Sequence, residues 1–231
     1  MQVVYEDNHI IIVSKESGEI VQGDKTGDTP LTELVKAYIK EKYAKPGAVF
    51  LGVTHRLDRP VSGLVVYART SKALARLNDM FRLGQIHKTY WAMVERGASP
   101  FTTEPTLLTH WLVRNERQNK SYAYDHEVPA SKQAMLKARL IGHSERYDLV
   151  EVLLLTGRHH QIRCQLAAVG CPIRGDLKYG ARRSNRDGSI SLLARRVEFI
   201  HPVSKQPIAV EAPLPHDPLW EKTLNAEHDF G

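Results

Sequence analysis

The pattern of hydrophobic and polar positions along this 231-residue chain predicts many strands and few helices. Alternating or continuous β-branched runs are typical of strands, and the run "GLVVYAR" at 63–69 is typical of a buried one. The predicted strands are 2–6, 9–15, 50–54, 63–69, 88–95, 132–141, 147–156, 192–200 and 207–211. The stretch 98–131 has no clean period, and we expect short strands and loops there.

Apolar positions three and four residues apart predict three helices. The first has Thr29 as its N-cap and Pro30 at its first helical position, and it runs to about position 43. Thr70 caps the second helix, which ends at Gly84. The third helix spans 158–169 and is followed by a glycine and a proline.

These elements do not alternate as βαβ units, and strands outnumber helices. The pattern therefore predicts an α+β protein with a mixed, largely antiparallel sheet. The chain contains no internal repeat, no low-complexity segment and no linker-like stretch. We therefore expect a single domain over residues 1–231.

Composition is that of an ordinary globular protein, with 42% hydrophobic and 25% charged residues. Two cysteines, Cys164 and Cys171, are too few for a disulfide scaffold. The first residues lack the basic and apolar segments of a signal peptide, and no apolar run is long enough to cross a bilayer. We therefore expect a reduced, cytoplasmic protein.

The basic residues are concentrated in one segment. The formal net charge is +6, and the segment 173–196 alone contains seven basic and two acidic residues. Such a segment can contact a polyanion such as nucleic acid, or it can be a solvated loop. The sequence leaves both interpretations open.

One aspartate stands out because of its neighbours. In "THRLDRPVSGLVVYART" at 54–70, Asp58 lies between Arg56 and Arg59, just before a predicted buried strand. Nearby cations favour the ionised carboxylate, which could act as a nucleophile, a general base or a metal ligand. A surface ion pair is the other interpretation, and on composition alone it is the more common case.

A second cluster lies in "TGRHHQIRCQLAAVG" at 156–170. On the predicted helix, Arg163 projects about 100° away from Ile162. A helix start rich in Arg and His can bind phosphate, whereas a basic amphipathic helix with a solvated face is the alternative. His159, His160 and Cys164 have helical spacing for zinc, but no second ligand pair accompanies them. We therefore set a metal site aside.

Tyr90 and Trp91 alternate on the predicted strand "KTYWAMVE", so one of them faces inward. They could pack in the sheet or form a platform on which a nucleobase stacks. The chain has no Walker-type phosphate loop, no GxGxxG after a strand and no GxSxG. Residue patterns alone therefore indicate a soluble α+β protein with one unusual aspartate.

Three separated stretches together resemble one family. They are "HRLDRPVSGLVVYART", "KTYWAMVERG" and "TGRHHQIRCQLAAVGCPIRGDLKYG", and they are similar in order and spacing to the motifs of the RluA-type RNA pseudouridine synthases. Weaker similarity extends over almost the whole chain. The resemblance implies the pseudouridine synthase fold, a central bent sheet flanked by helices, with two subdomains that meet at a cleft. It also implies a member without the separate N-terminal S4 RNA-binding domain.

The resemblance implies roles for individual residues in converting uridine to pseudouridine. Asp58 would be the catalytic nucleophile or base, and Arg163 would pair with it. Tyr90 would stack on the target base, and Ile162 would form part of the pocket wall. Arg56 would fill the gap left by a flipped-out nucleotide.

RNA is the partner that the resemblance implies, as tRNA or rRNA. The residues expected to contact it are His55, Arg56, Arg158, Gln161, Ile162, Arg182 and Arg183. We expect a monomeric protein that needs no metal or organic cofactor and does not associate with a membrane. Two alternatives stay open: an RNA-binding module of the same fold without activity, and a glycosylase that releases free uracil.

Overall fold

The structure, a computed structural model, describes residues 1–23, 26–96 and 100–225. In chain order its elements are β1 (Gln2–Glu6), β2 (Ile10–Lys15), α1 (Leu31–Lys42), β3 (Gly52–Val53), β4 (Ser62–Ala68), α2 (Ser71–Arg82), β5 (His87–Glu95), β6 (Thr106–Asn115), β7 (Lys120–Tyr124), β8 (Lys132–His143), β9 (Tyr147–Leu154), α3 (Gln161–Ala168), a 3-10 helix (Leu177–Tyr179), β10 (Leu192–Ile200), β11 (Pro207–Glu211) and α4 (Leu219–Asn225). The α+β class is confirmed.

The chain divides into two compact units. Unit 1 comprises Met1–His87 with Ala194–Pro213, and unit 2 comprises Lys88–Leu193 with Leu214–Gly231. The prediction of one domain over the whole chain is not tested by this division and stays a prediction.

Unit 1 is built around a buried strand pair. β2 lies between β1 and β4, β3 also pairs with β4, and β11 pairs with β10, all antiparallel. Every residue of β2 is buried, as are all residues of β4 except Ser62. Such continuous apolar runs are typical of strands covered on both faces. The helices α1 and α2 contribute Leu31, Val35, Ile39 and Leu77 to this core, all fully buried.

Unit 2 is an antiparallel sheet in the order β5-β9-β8-β6-β7. α3 packs on β6 and β7, and α4 packs on β8 and β9. β6 has ten residues and β7 has five, so the stretch without a clean period contains one long strand besides the short one. Residues 98 and 99 of that stretch lie outside the described residues.

Two of the predicted helix starts are wrong and one is confirmed. Thr70 accepts a hydrogen bond from the backbone N–H of Ala73 and so caps α2, as predicted. At α1 the N-cap is Pro30 rather than Thr29, without a side-chain cap. α3 begins only at Gln161, because His160 before it has a left-handed φ of 51° and cannot belong to a right-handed helix.

In the part of the chain that the structure describes, no helix is both long and apolar enough to span a membrane.

Candidate active site

Asp58 lies in the segment between β3 and β4, and this segment is fastened to β4 by side chains. The β3–β4 register places Val53 opposite Tyr67, so the next pair along the ladder would be Thr54 and Val66. Instead of backbone pairing, the Thr54 hydroxyl donates to the Val66 carbonyl at 2.6 Å. The Nε2 atom of His55 accepts the Val66 N–H at 3.0 Å. The chain can therefore leave the sheet while both backbone groups of Val66 remain bonded.

The turn that begins at Asp58 is held by hydrogen bonds to each of its four carbonyl groups. The donors are Val61 N to Asp58 O at 3.0 Å, Gly18 N to Arg59 O at 2.9 Å, Ser17 Oγ to Pro60 O at 3.2 Å and Lys15 Nζ to Val61 O at 2.6 Å. A turn with all of its carbonyls bonded has little freedom to shift. Asp58 is thus attached to a fixed part of unit 1.

Lys15 is the buried cation of this site, with an exposed fraction of 1%. Its ammonium donates to three carbonyls, those of Glu16, Arg59 and Val61. Burial lowers the pKa of Lys15 to about 8, while the carboxylates of Glu19 and Asp58 act in the opposite direction. Asp58 is therefore one of two carboxylates that favour the charged form of Lys15.

Sequence reasoning named Arg56 and Arg59 as the cations near Asp58 and missed Lys15. Arg59 donates to Asp28 Oδ2 at 2.7 Å and to Thr26 Oγ1 at 2.8 Å. Arg56 is solvent-exposed. A signal for Lys15 was present in "IIIVSK", because a lysine that ends an entirely buried strand must find partners in the interior.

Unit 2 contributes the other residues that the resemblance selects. Tyr90 on β5 lies opposite Val152 on β9 and is 6% exposed, while Trp91 is half-buried. Ile162, in the first turn of α3, is 5% exposed. Base stacking by Tyr90 and a pocket wall at Ile162 stay predictions.

Arg163 is buried, so the alternative of a solvated basic face on α3 is wrong. Its exposed fraction is 6%, and residues 161–166 of the helix are all buried. The guanidinium forms a two-pronged ion pair with Asp176, with Nε to Oδ2 at 2.7 Å and Nη2 to Oδ1 at 2.9 Å. Asp176 is 1% exposed. Pairing between Arg163 and Asp58 stays a prediction.

The side chain of Gln161 forms hydrogen bonds that hold the start of α3 in place. Its Oε1 accepts from the Arg158 N–H at 2.9 Å and from the Thr156 hydroxyl at 2.8 Å, and its Nε2 donates to the Met135 carbonyl. At 3% exposed, Gln161 has its amide bonded inside the protein, and the structure gives no support to the predicted RNA contact. Arg158 is exposed, and its Nε donates to the Gln133 carbonyl.

The basic segment 173–196 is not one positively charged loop, because several of its arginines pair with carboxylates outside it. Arg174 pairs with Asp217 at 2.6 Å, and Arg195 and Arg196 both pair with Glu211. The segment also contains the 3-10 helix and the first residues of β10. Its exposed basic residues are Lys178, Arg182, Arg183 and Arg186. The Arg182 side chain is 86% exposed, with Nε 3.4 Å from the Glu95 carboxylate.

His159, His160 and Cys164, which were considered as zinc ligands, each form a hydrogen bond within the protein. His159 Nδ1 lies 2.9 Å from the Ser121 hydroxyl, and His160 Nδ1 lies 2.9 Å from the Tyr179 hydroxyl. The Cys164 thiol donates to the Ser121 carbonyl, and burial raises its pKa to about 11. A thiol with a raised pKa is a poor metal ligand and a poor nucleophile.

The fold defines the class of protein first. A solved structure described as human RNA pseudouridylate synthase domain containing 4 matches 93% of this chain and 89% of its own, with a TM-score of 0.75 at 20% identity. A second, human RNA pseudouridylate synthase domain containing 1, matches with a TM-score of 0.72 at 22% identity, over 94% of this chain and 85% of its own. The fold is therefore that of the pseudouridine synthases, as predicted.

Sequence comparison then gives the family. The model of the family described as RNA pseudouridylate synthase matches residues 9–168, and this chain belongs to that family. It is 31% identical over 218 residues to the ribosomal large subunit pseudouridine synthase C of Vibrio cholerae, covering 92% of this chain and 65% of that protein. It is also 31% identical to the tRNA pseudouridine synthase C of Salmonella typhi, covering 97% of this chain and 88% of that protein.

Proposed function

We propose that this protein isomerises selected uridines to pseudouridine in structured RNA, with Asp58 as the reacting carboxylate. The observation that carries the proposal is the turn at Asp58. This turn lies within the family match, and hydrogen bonds hold all four of its carbonyls. Holding a reacting group in a fixed position lowers the activation barrier of an enzyme reaction.

The reaction requires the target nucleotide to leave the helical stack, at a cost of a few kcal/mol. Exposed Arg56 fills the vacated space in this proposal, and Tyr90 stacks on the extruded base. In the reaction the C1′–N1 bond breaks, the uracil turns, and a C1′–C5 bond forms. The proton on C5 is lost, and N1 gains one. In this proposal the steps use residues of this chain and no metal or organic cofactor.

Asp58 can serve this sequence by three routes. Its carboxylate can attack C1′ as the uracil leaves with the electron pair of the C1′–N1 bond. It can instead remove the C2′ proton and give a glycal, or add to C6 of the uracil. Arg163 would bind the Asp58 carboxylate and hold it in its reactive orientation. Each route needs an ionised carboxylate in a fixed position.

The names of the relatives supply the substrate class, large-subunit rRNA for one and tRNA for the other. We propose one of these two RNAs as substrate, a cytoplasmic location and action as a monomer. The exposed side chains of Arg182 and Arg183 would contact RNA phosphates.

The test is nucleoside analysis of unmodified tRNA and rRNA transcripts after incubation with the protein. Wild type is compared with Asp58→Asn and with Asp79→Asn, a matched change at an exposed aspartate of α2. We expect pseudouridine from wild type and Asp79→Asn, none from Asp58→Asn, and RNA affinities within about twofold of one another, since no phosphate contact is removed.

Three outcomes would contradict the proposal. Substantial pseudouridine from Asp58→Asn would remove Asp58 from its role. Free uracil from wild type would indicate a glycosylase. RNA binding by wild type without any change in the nucleosides would indicate a binding module of the same fold.

A further inference from the structure

Asp176 and Tyr179 both contact the guanidinium of Arg163, and neither has a role in the reaction as described so far. The ion pair of Arg163 with Asp176 is two-pronged and buried. The Tyr179 ring lies over the same guanidinium, with Cζ of Arg163 5.1 Å from the ring centroid. The carboxylate binds one edge of the guanidinium and the ring contacts one face, so both its plane and its direction are set.

Both side chains reach Arg163 because of the local helix geometry. Asp176 is the N-cap of the 3-10 helix, and Tyr179 is its last residue, with the Tyr179 N–H donating to the Asp176 carbonyl at 3.0 Å. In a 3-10 helix, side chains three residues apart lie on the same side. Gly180 follows with a φ of +102°, which ends the turn.

Tyr179 is itself held in place by two hydrogen bonds. Its hydroxyl accepts the Ser121 N–H at 2.8 Å, so it can donate its own proton to His160 Nδ1 at 2.9 Å. Burial raises the pKa of the Tyr179 hydroxyl above its ordinary value. The ring therefore stays a neutral hydrogen-bonded group and presents a fixed face to Arg163.

We propose that Asp176 and Tyr179 are positioning residues, which orient Arg163 for its part in the reaction. This inference rests on the proposed function. Together Arg163 and Asp176 carry no net formal charge, so the contribution of Arg163 is a directed pair of N–H groups rather than bulk positive charge. A lysine cannot reproduce that planar geometry.

The test is a double-mutant cycle of Asp176→Asn and Arg163→Lys, measured as single-turnover pseudouridine formation at saturating RNA. We expect each single variant to lose about 10²-fold in rate, the size of effect that follows from misplacement by about 1 Å. The double variant should be no slower than the slower single variant, because both changes remove the same interaction. RNA dissociation constants should stay within about twofold.

A second pair of variants covers the case that Asp176→Asn does not fold. Tyr179→Leu removes the ring, whereas Tyr179→Phe keeps it, and Tyr179→Phe should therefore lose less of the rate than Tyr179→Leu. The control is Asp217→Asn, which breaks another arginine–carboxylate pair of unit 2, 2.6 Å long, and should leave the rate unchanged. Folded fractions are measured for all variants by circular dichroism.

Several outcomes would overturn the inference alone. The first is a double variant whose loss of rate equals the product of the two single losses. The second is a loss of rate in the variants no larger than their loss of folded protein. The third is a weaker RNA affinity of the variants at an unchanged rate. Absence of pseudouridine with the wild-type protein would overturn the proposed function and this inference together.

Discussion

Replacing His55 should lower turnover and leave RNA affinity intact, because in the structure this side chain holds the segment that carries Asp58. Its Nε2 accepts the N–H of Val66, a residue with no exposed surface, and its ring lies 5.0 Å from that of Phe81. His55→Leu keeps an apolar side chain beside Phe81 and removes the acceptor. His55→Gln offers Oε1 near the position of Nε2.

The magnitude follows from the state of the Val66 N–H. A buried donor left without its acceptor costs about 1–3 kcal/mol, so His55→Leu should lower the free energy of unfolding by that amount. His55→Gln should lower it by less than about 1 kcal/mol, since the hydrogen bond is retained. Asp58 follows three residues later, and a shift of about 1 Å there would slow turnover by about 10²-fold in the leucine variant.

Three measurements check this prediction: urea unfolding, single-turnover rate at saturating RNA, and the RNA dissociation constant. His9→Leu is the matched control, since His9 is also a half-buried histidine of unit 1 and contacts another histidine ring at 5.9 Å. It should retain the wild-type rate.

Two results would refute the reasoning. Weaker RNA binding with an unchanged rate at saturation would make His55 an RNA contact, as the family resemblance suggested. An equal loss of rate in the glutamine and leucine variants would exclude the acceptor role.

Three further predictions concern stability and binding. The free energy of unfolding of wild type should rise by up to about 3 kcal/mol relative to Lys15→Met between about pH 8 and pH 10.5. In this range the folded protein has lost the Lys15 proton that the unfolded chain still binds. Urea titrations across this range measure the difference between the two proteins, and a difference that does not change with pH would contradict the prediction. Gly63→Ala should destabilise unit 1 by about 3 kcal/mol or more, because Gly63 has a φ of +114° and a Cβ there would lie 2.6 Å from the backbone nitrogen of Ala194; thermal unfolding would show an unchanged midpoint if this is wrong. Arg182→Ala should weaken RNA binding and reduce the slope of log affinity against log salt by about 1, and an unchanged slope would remove Arg182 from the RNA contacts.

The elements that sequence predicted best are those whose own residues determine them. β4 follows from its run of apolar and β-branched residues, and α2 follows from its period and from the threonine cap at Thr70. The start of α3 was wrong because it depends on more distant residues. The side chain of Gln161 bonds to Met135, 26 positions away, and His160 adopts a left-handed conformation that non-glycine residues seldom take.

The candidate site shows the same division. Family motifs select Asp58, Tyr90 and Arg163 directly, and they lie in or next to the elements that the sequence predicted. The sequence could signal a buried group such as Lys15, but the partners of the groups that hold the site could not be predicted, because these contacts join residues far apart in the chain. Lys15 binds the carbonyl of Val61, 46 positions away, and local spacing gives no sign of that bond.

A charge count along the sequence could not decide between the two interpretations of the basic segment, for a related reason. The segment 173–196 has a large positive excess when it is counted alone, but its arginines find partners beyond its end. Asp217 and Glu211 form ion pairs with three of them, and Glu211 is shared by two. The net charge of a sequence segment describes its electrostatics only where the residues that surround it in the fold are also its neighbours in sequence.

Unit 1 is discontinuous, and this has a consequence for synthesis on the ribosome. Gly63, five residues after Asp58, packs directly on the backbone of Ala194, which is translated about 130 residues later. At ordinary elongation rates the N-terminal part waits on the order of ten seconds for its last strands. Until then β4, which follows the Asp58 turn, lacks its neighbour β10, and the sheet beside that turn has an open edge.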